Sequence, residues 1–123
     1  WQLSNPPIFF FSSLRASLEI FDDAGMSNLR AKSEALTGYL VYLLNQIDDD
    51  RISIITPRDP AHRGCQLSIR VKDSDKLLFD AITDRGVIAD WREPDVIRVA
   101  PTPLYNSYTE VFRFSTILEE CLR

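Results

Sequence analysis

Proline and glycine divide this 123-residue chain into eight short elements, with no internal repeat and no low-complexity tract. Hydrophobic periodicity then assigns a type to each. Pro6 and Pro7 fit the first turn of a helix, where a missing amide hydrogen costs little, and Ser4 or Asn5 stands where a cap belongs. That helix runs from about Pro7 to Asp23. It is apolar nearly all round at Ile8, Phe9, Phe10 and Phe11 and narrows to Leu14, Leu18 and Phe21, so its front end needs cover on several sides. Gly25 stops it, and Ser27 is placed to cap a second helix on which Leu29, Leu36, Leu40, Leu43 and Ile47 recur at helical spacings. Asp48, Asp49 and Asp50 sit at the unfavourable end of that helix dipole and read as a solvated turn, with no metal needed to explain them.

The second half changes period. Ile52 to Ile55 reads as a strand and Pro57 to Gly64 as a loop, after which Leu67, Ile69 and Val71 alternate with Ser68, Arg70 and Lys72, the pattern of a half-buried strand. Leu77, Leu78, Ala81 and Ile82 form a short helix ending before Gly86. Strands follow at about Val87 to Trp91 and Val96 to Val99, joined by a turn containing Pro94. Ser107 and Glu110 have capping-box spacing, and Val111, Phe114, Leu118 and Cys121 make the buried stripe of a last helix. The predicted class is therefore α+β, a small open sheet of about four strands with helices packed mainly on one face. One domain is expected at this length.

Composition excludes several functions. The net charge of −4 lacks the basic excess that phosphate-backbone binding needs, so nucleic acid is not an expected partner. No stretch approaches the roughly 18 uncharged apolar residues of a membrane helix, so a membrane is not expected either. With His62 the only histidine, a histidine-rich metal site is excluded, and Cys65 and Cys121 match no zinc spacing and read as buried, reduced structural thiols. Trp91 and Tyr105 read as packing residues.

Arg98 is the strongest binding candidate, because alternation sets it on one face of its strand with Val96 and Ala100, while Ile97 and Val99 point the other way. Its planar fork of donors matches a carboxylate, and Pro101 and Pro103 stiffen the chain beyond it. The alternative is a solvent face on which Arg98 pairs with a nearby Asp or Glu. Asn5 offers a carbonyl and an amide to a ligand, or else serves as a helix cap; Ser4 shares that ambiguity. Lys32, Lys72 and Lys76 lack the buried apolar setting of a Schiff-base lysine.

Trp1 to Pro7, Ala16 to Phe21, Leu36 to Leu40, Arg63-Gly64-Cys65-Gln66-Leu67-Ser68-Ile69, Ile97-Arg98-Val99-Ala100-Pro101 and Pro103 to Ser107, in that order, resemble the carboxy-terminal part of kynureninase. The resemblance spans essentially the whole chain. It implies the small domain of an aminotransferase-like, fold-type I enzyme that depends on pyridoxal phosphate, works as a cytoplasmic homodimer, and cleaves L-kynurenine or its 3-hydroxy form to anthranilate or its hydroxy analogue and L-alanine. It further implies that Arg98 binds the substrate α-carboxylate, that Asn5 contacts cofactor or substrate, and that Ser4 helps fit the aromatic ring. The aldimine lysine, phosphate ligands and pyridine-nitrogen aspartate would lie on a large domain upstream of Trp1, so this chain by itself is expected to bind no cofactor and to be inactive. The other reading is a freestanding α+β module that binds an acidic metabolite or a protein partner without catalysis.

Overall fold

A computed structural model describes Asn5 and residues 7–123. Helices α1 (Ile8–Ala24) and α2 (Met26–Leu44) are followed by strands β1 (Ile52–Ile54) and β2 (Leu67–Val71). Helix α3 (Lys76–Asp84), strands β3 (Asp90–Arg92) and β4 (Val96–Val99), and helix α4 (Tyr108–Leu122) complete the order. The strands form one antiparallel sheet in the order β1-β2-β4-β3. This is the expected α+β class and order of elements.

The alternation in β2 decides which face is dry. Leu67, Ile69 and Val71 are buried, and pairing of Ile69 with Ile97 and of Leu67 with Val99 carries the same face into β4. Against it pack Leu36, Leu40 and Leu44 of α2, Ile82 of α3, and Val111, Phe114, Ile117 and Leu118 of α4. The opposite face carries Ser68, Arg70, Asp90, Arg92 and Arg98 and has no helix over it among the described residues.

Several local expectations change for identifiable reasons. Neither Asn5 nor Ser27 caps a helix. Pro7 is the residue before α1 and no side chain caps that end, while Ser4 lies outside the described residues. Gly25 makes the corner between α1 and α2 at φ +75°, its N–H closing α1 on the Phe21 carbonyl and its own carbonyl accepting from Leu29, so α2 has already begun at Met26. The segment Val87 to Ala89 is not a strand. The Val87 N–H turns back to the Ile82 carbonyl at the end of α3, leaving Ile88 fully exposed while Val87 and Ala89 pack on the core. Cys65 and Cys121 are free but only half-buried, and Tyr105 is exposed. In the acidic turn Asp49 is ion-paired with Arg51, which also donates to the Leu122 carbonyl and so ties the end of α4 to the turn.

The capping box at α4 is complete: Ser107 Oγ accepts from the Glu110 N–H, and Glu110 Oε2 accepts from the Ser107 N–H at 2.7 Å. Ser107→Ala is expected to cost about 0.5–2 kcal/mol, measured as a lower urea midpoint at unchanged m. Hydrogen bonds from the Ser107 side chain and backbone hold the Glu110 carboxyl below its ordinary value. A depressed native carboxyl contributes stability that is complete above the unfolded value and is lost as pH falls through the native one. The wild-type advantage over Ser107→Ala therefore shrinks in acid.

Candidate anion site on the open face of the sheet

Arg98 sits on the uncovered face of β4, directly opposite Ser68 on one side and Asp90 on the other. Its Nε donates to Asp90 Oδ2 at 2.7 Å, and Nη2 makes an ion pair with the same oxygen. The side chain is one-third exposed, and no hydrogen-bond partner of Nη1 is found among the described residues. Asp90 thus holds the side edge of the guanidinium with one oxygen and leaves its end edge open to a second carboxylate. Arg92 reaches Asp90 Oδ2 as well, with Nε at 3.0 Å.

Partial desolvation alone would raise the Asp90 carboxyl, but the hydrogen bond from Arg98 and the charges of Arg92 and Arg98 hold it below its ordinary value. It is a carboxylate at neutral pH and acts as an acceptor. Nearby, Arg70 bonds the buried Asp95 at 2.8 Å. Three arginines against two aspartates leave this face positive on a chain whose net charge is negative.

The local Asp partner foreseen as the alternative for Arg98 is real, and it does not use up the fork. Asn5 is exposed ahead of α1, and no hydrogen bond among the described residues joins it to Arg98. Sequence reasoning missed Asp90. The available signal was hairpin arithmetic, since Asp90 and Arg98 each lie four residues from Pro94 in the turn between β3 and β4 and so face each other across it.

The described residues do not by themselves make a pyridoxal phosphate site. Lys72 and Lys76 are exposed, Lys76 is paired with Asp80, and Lys32 is only half-buried on α2. Among the described residues no cluster of three or more His, Cys, Asp or Glu side chains is arranged to hold a metal, and no helix is long and apolar enough to cross a membrane.

Residues 29–118 match the profile of the kynureninase C-terminal domain. The chain belongs to that family. It is 56% identical over 119 residues to a kynureninase of Myxococcus xanthus, 55% identical over 114 residues to one of Koribacter versatilis and 54% identical over 114 residues to one of Xanthomonas campestris. These alignments cover 97%, 93% and 90% of this chain but only 28%, 27% and 27% of the relatives. The chain therefore spans a little over a quarter of the length of the curated kynureninases it matches. Among solved structures, a NifS-like protein superposes with a TM-score of 0.73 at 22% identity, over 87% of this chain and 31% of that one. The acetylornithine aminotransferase of Elizabethkingia anophelis follows with a TM-score of 0.64 at 18% identity, over 87% and 26%. At those identities the two share the fold of this kynureninase domain.

Proposed function

We propose that this chain is a single small domain, the substrate-anchoring part of a pyridoxal phosphate-dependent kynureninase. The complete protein would hydrolyse the bond between the β and γ carbons of L-kynurenine or 3-hydroxy-L-kynurenine, releasing the corresponding anthranilate and L-alanine. The single observation that carries the reading is the one-third-exposed Arg98 fork, held on its side edge by Asp90 and open at its end. A held α-carboxylate fixes the orientation of the bond to be broken, which is a positioning contribution and involves no proton transfer by Arg98. Pyridoxal phosphate would supply the electron sink, from a large domain that carries the lysine this one lacks. Asn5 would contact cofactor or substrate and Ser4 the aromatic ring. The protein would work as a cytoplasmic homodimer.

The surface of α1 supports the missing partner. None of its residues is buried, and Ile8, Phe9, Phe10, Phe11, Leu14 and Leu18 are all exposed. A contiguous apolar face of this kind marks an interaction surface, and the large domain of the same protein would cover it.

The test is to express the full-length protein and follow anthranilate fluorescence. Product that requires both L-kynurenine and pyridoxal phosphate is the expected result. A folded, cofactor-loaded protein inert toward L-kynurenine and 3-hydroxy-L-kynurenine would overturn the substrate assignment. Failure to take up cofactor at all would favour an acid-binding module without catalysis.

A further inference from the structure

The guanidinium of Arg98 has a neighbour that charge alone does not explain. An anion-binding arginine gains from a positive field, yet the carboxylate of Asp90 lies against it and repels any ligand anion. Arg70 bonds Asp95 at 2.8 Å, so Asp90 is the aspartate of this face committed to Arg98. The contact is directional. A single oxygen, Oδ2, takes Nε at 2.7 Å and Nη2 as well, and Arg92 Nε braces that same oxygen at 3.0 Å. Nη2 carries two hydrogens, so one remains on the end edge beside Nη1, and the two nitrogens there form the parallel pair of donors that a carboxylate accepts. Register keeps this arrangement in place, since Asp90 and Arg98 face each other across β3 and β4.

We propose that Asp90 is the positioning residue of the anion site: it fixes the direction of the Arg98 fork and, through it, the α-carboxylate of the substrate. An arginine on an open strand face otherwise spreads over many rotamers, and ordering it before the ligand arrives removes that entropic cost from binding. Asp90 itself touches neither substrate nor cofactor in this role. The role rests on the proposed reading of Arg98 as the carboxylate anchor of a kynureninase.

The sign of the effect tests it. Asp90→Ala and Asp90→Asn are made in the full-length, cofactor-loaded protein beside Arg98→Lys. Both Asp90 variants are expected to fold, because Asp90 lies half-exposed on the edge strand β3 and an ion pair so placed adds little stability. Charge alone predicts that deleting Asp90 tightens the binding of an anion. Positioning predicts the reverse: in Asp90→Ala the KM for L-kynurenine and the inhibition constant of L-alanine both rise about tenfold. Asp90→Asn keeps an acceptor on the same edge and falls between alanine and wild type. L-alanine retains the α-carboxylate, whereas the carboxyl of anthranilate comes from the side-chain ketone, so inhibition by anthranilate stays unchanged. Unchanged or tighter L-alanine inhibition in Asp90→Ala, with Arg98→Lys impaired, would overturn the role of Asp90 alone. Equal weakening toward both products would mark a general loosening of the domain and overturn it too. Should Arg98→Lys also match wild type, the reading of Arg98 fails together with the role of Asp90.

Discussion

Replacing Arg98 by lysine in the full-length protein is expected to lower kcat/KM for L-kynurenine about tenfold to a hundredfold, the worth of a charge-assisted hydrogen-bond pair at about 1.5–3 kcal/mol. Lysine retains the positive charge, but a compact ammonium cannot bond Asp90 on one edge and a substrate carboxylate on another. The division between parameters is informative. A carboxylate held equally in ground and transition states shows mainly as a higher KM, whereas an anchor that also orients the scissile bond lowers kcat too. The fold tolerates the change, because Arg92 still donates to Asp90 Oδ2 and the carboxylate is not left without a partner. Steady-state anthranilate fluorescence, with a melting curve as control, makes the measurement. Kinetics equal to wild type would remove Arg98 from the site.

One position earlier, Ile97→Ala is expected to destabilise the domain by about 2–5 kcal/mol. Ile97 is wholly buried in β4, an inner strand of the sheet, paired with Ile69 of β2 and Trp91 of β3 and facing the helical layer. Its neighbours on both sides belong to hydrogen-bonded strands, which limits how far the surroundings can collapse into the space left behind. Urea unfolding at unchanged m reports the loss. The two predictions separate the faces of a single strand: Arg98→Lys alters chemistry with little loss of stability, and Ile97→Ala alters stability from the side away from the ligand. An Ile97→Ala variant as stable as wild type would show that β4 is not central to the core.

That division was legible in advance because a strand puts alternate residues on opposite faces. Ile97 and Val99 against Arg98 is a local pattern, as is the alternation of β2 and the capping box of α4. In each, the residues that must agree lie within a few positions of one another. The corner at Gly25 was less legible. A glycine after an apolar helix signals a stop, but here one residue ends α1 and starts α2, which removes the capping role from Ser27. Val87 to Ala89 failed as a strand because a backbone donor was claimed by the preceding helix, and a hydrophobic pattern carries no record of such claims.

The availability of hydrogen-bond donors belongs to the tertiary level. Nothing near Arg63 in the sequence shows that Arg30, from α2, donates to the loop carbonyls of Pro60 and Arg63. Nor does the neighbourhood of Arg98 reveal whether its fork is free, since that depends on the register of β3 against β4 and on Asp90 taking one edge. By itself the sequence determined the order of the main helices and strands, the α+β class and the wet and dry faces of β2 and β4, because periodicity and capping are short-range consequences of backbone geometry. Which donors remain available to a ligand was decided only by tertiary structure, because it depends on acceptors brought together from distant parts of the chain.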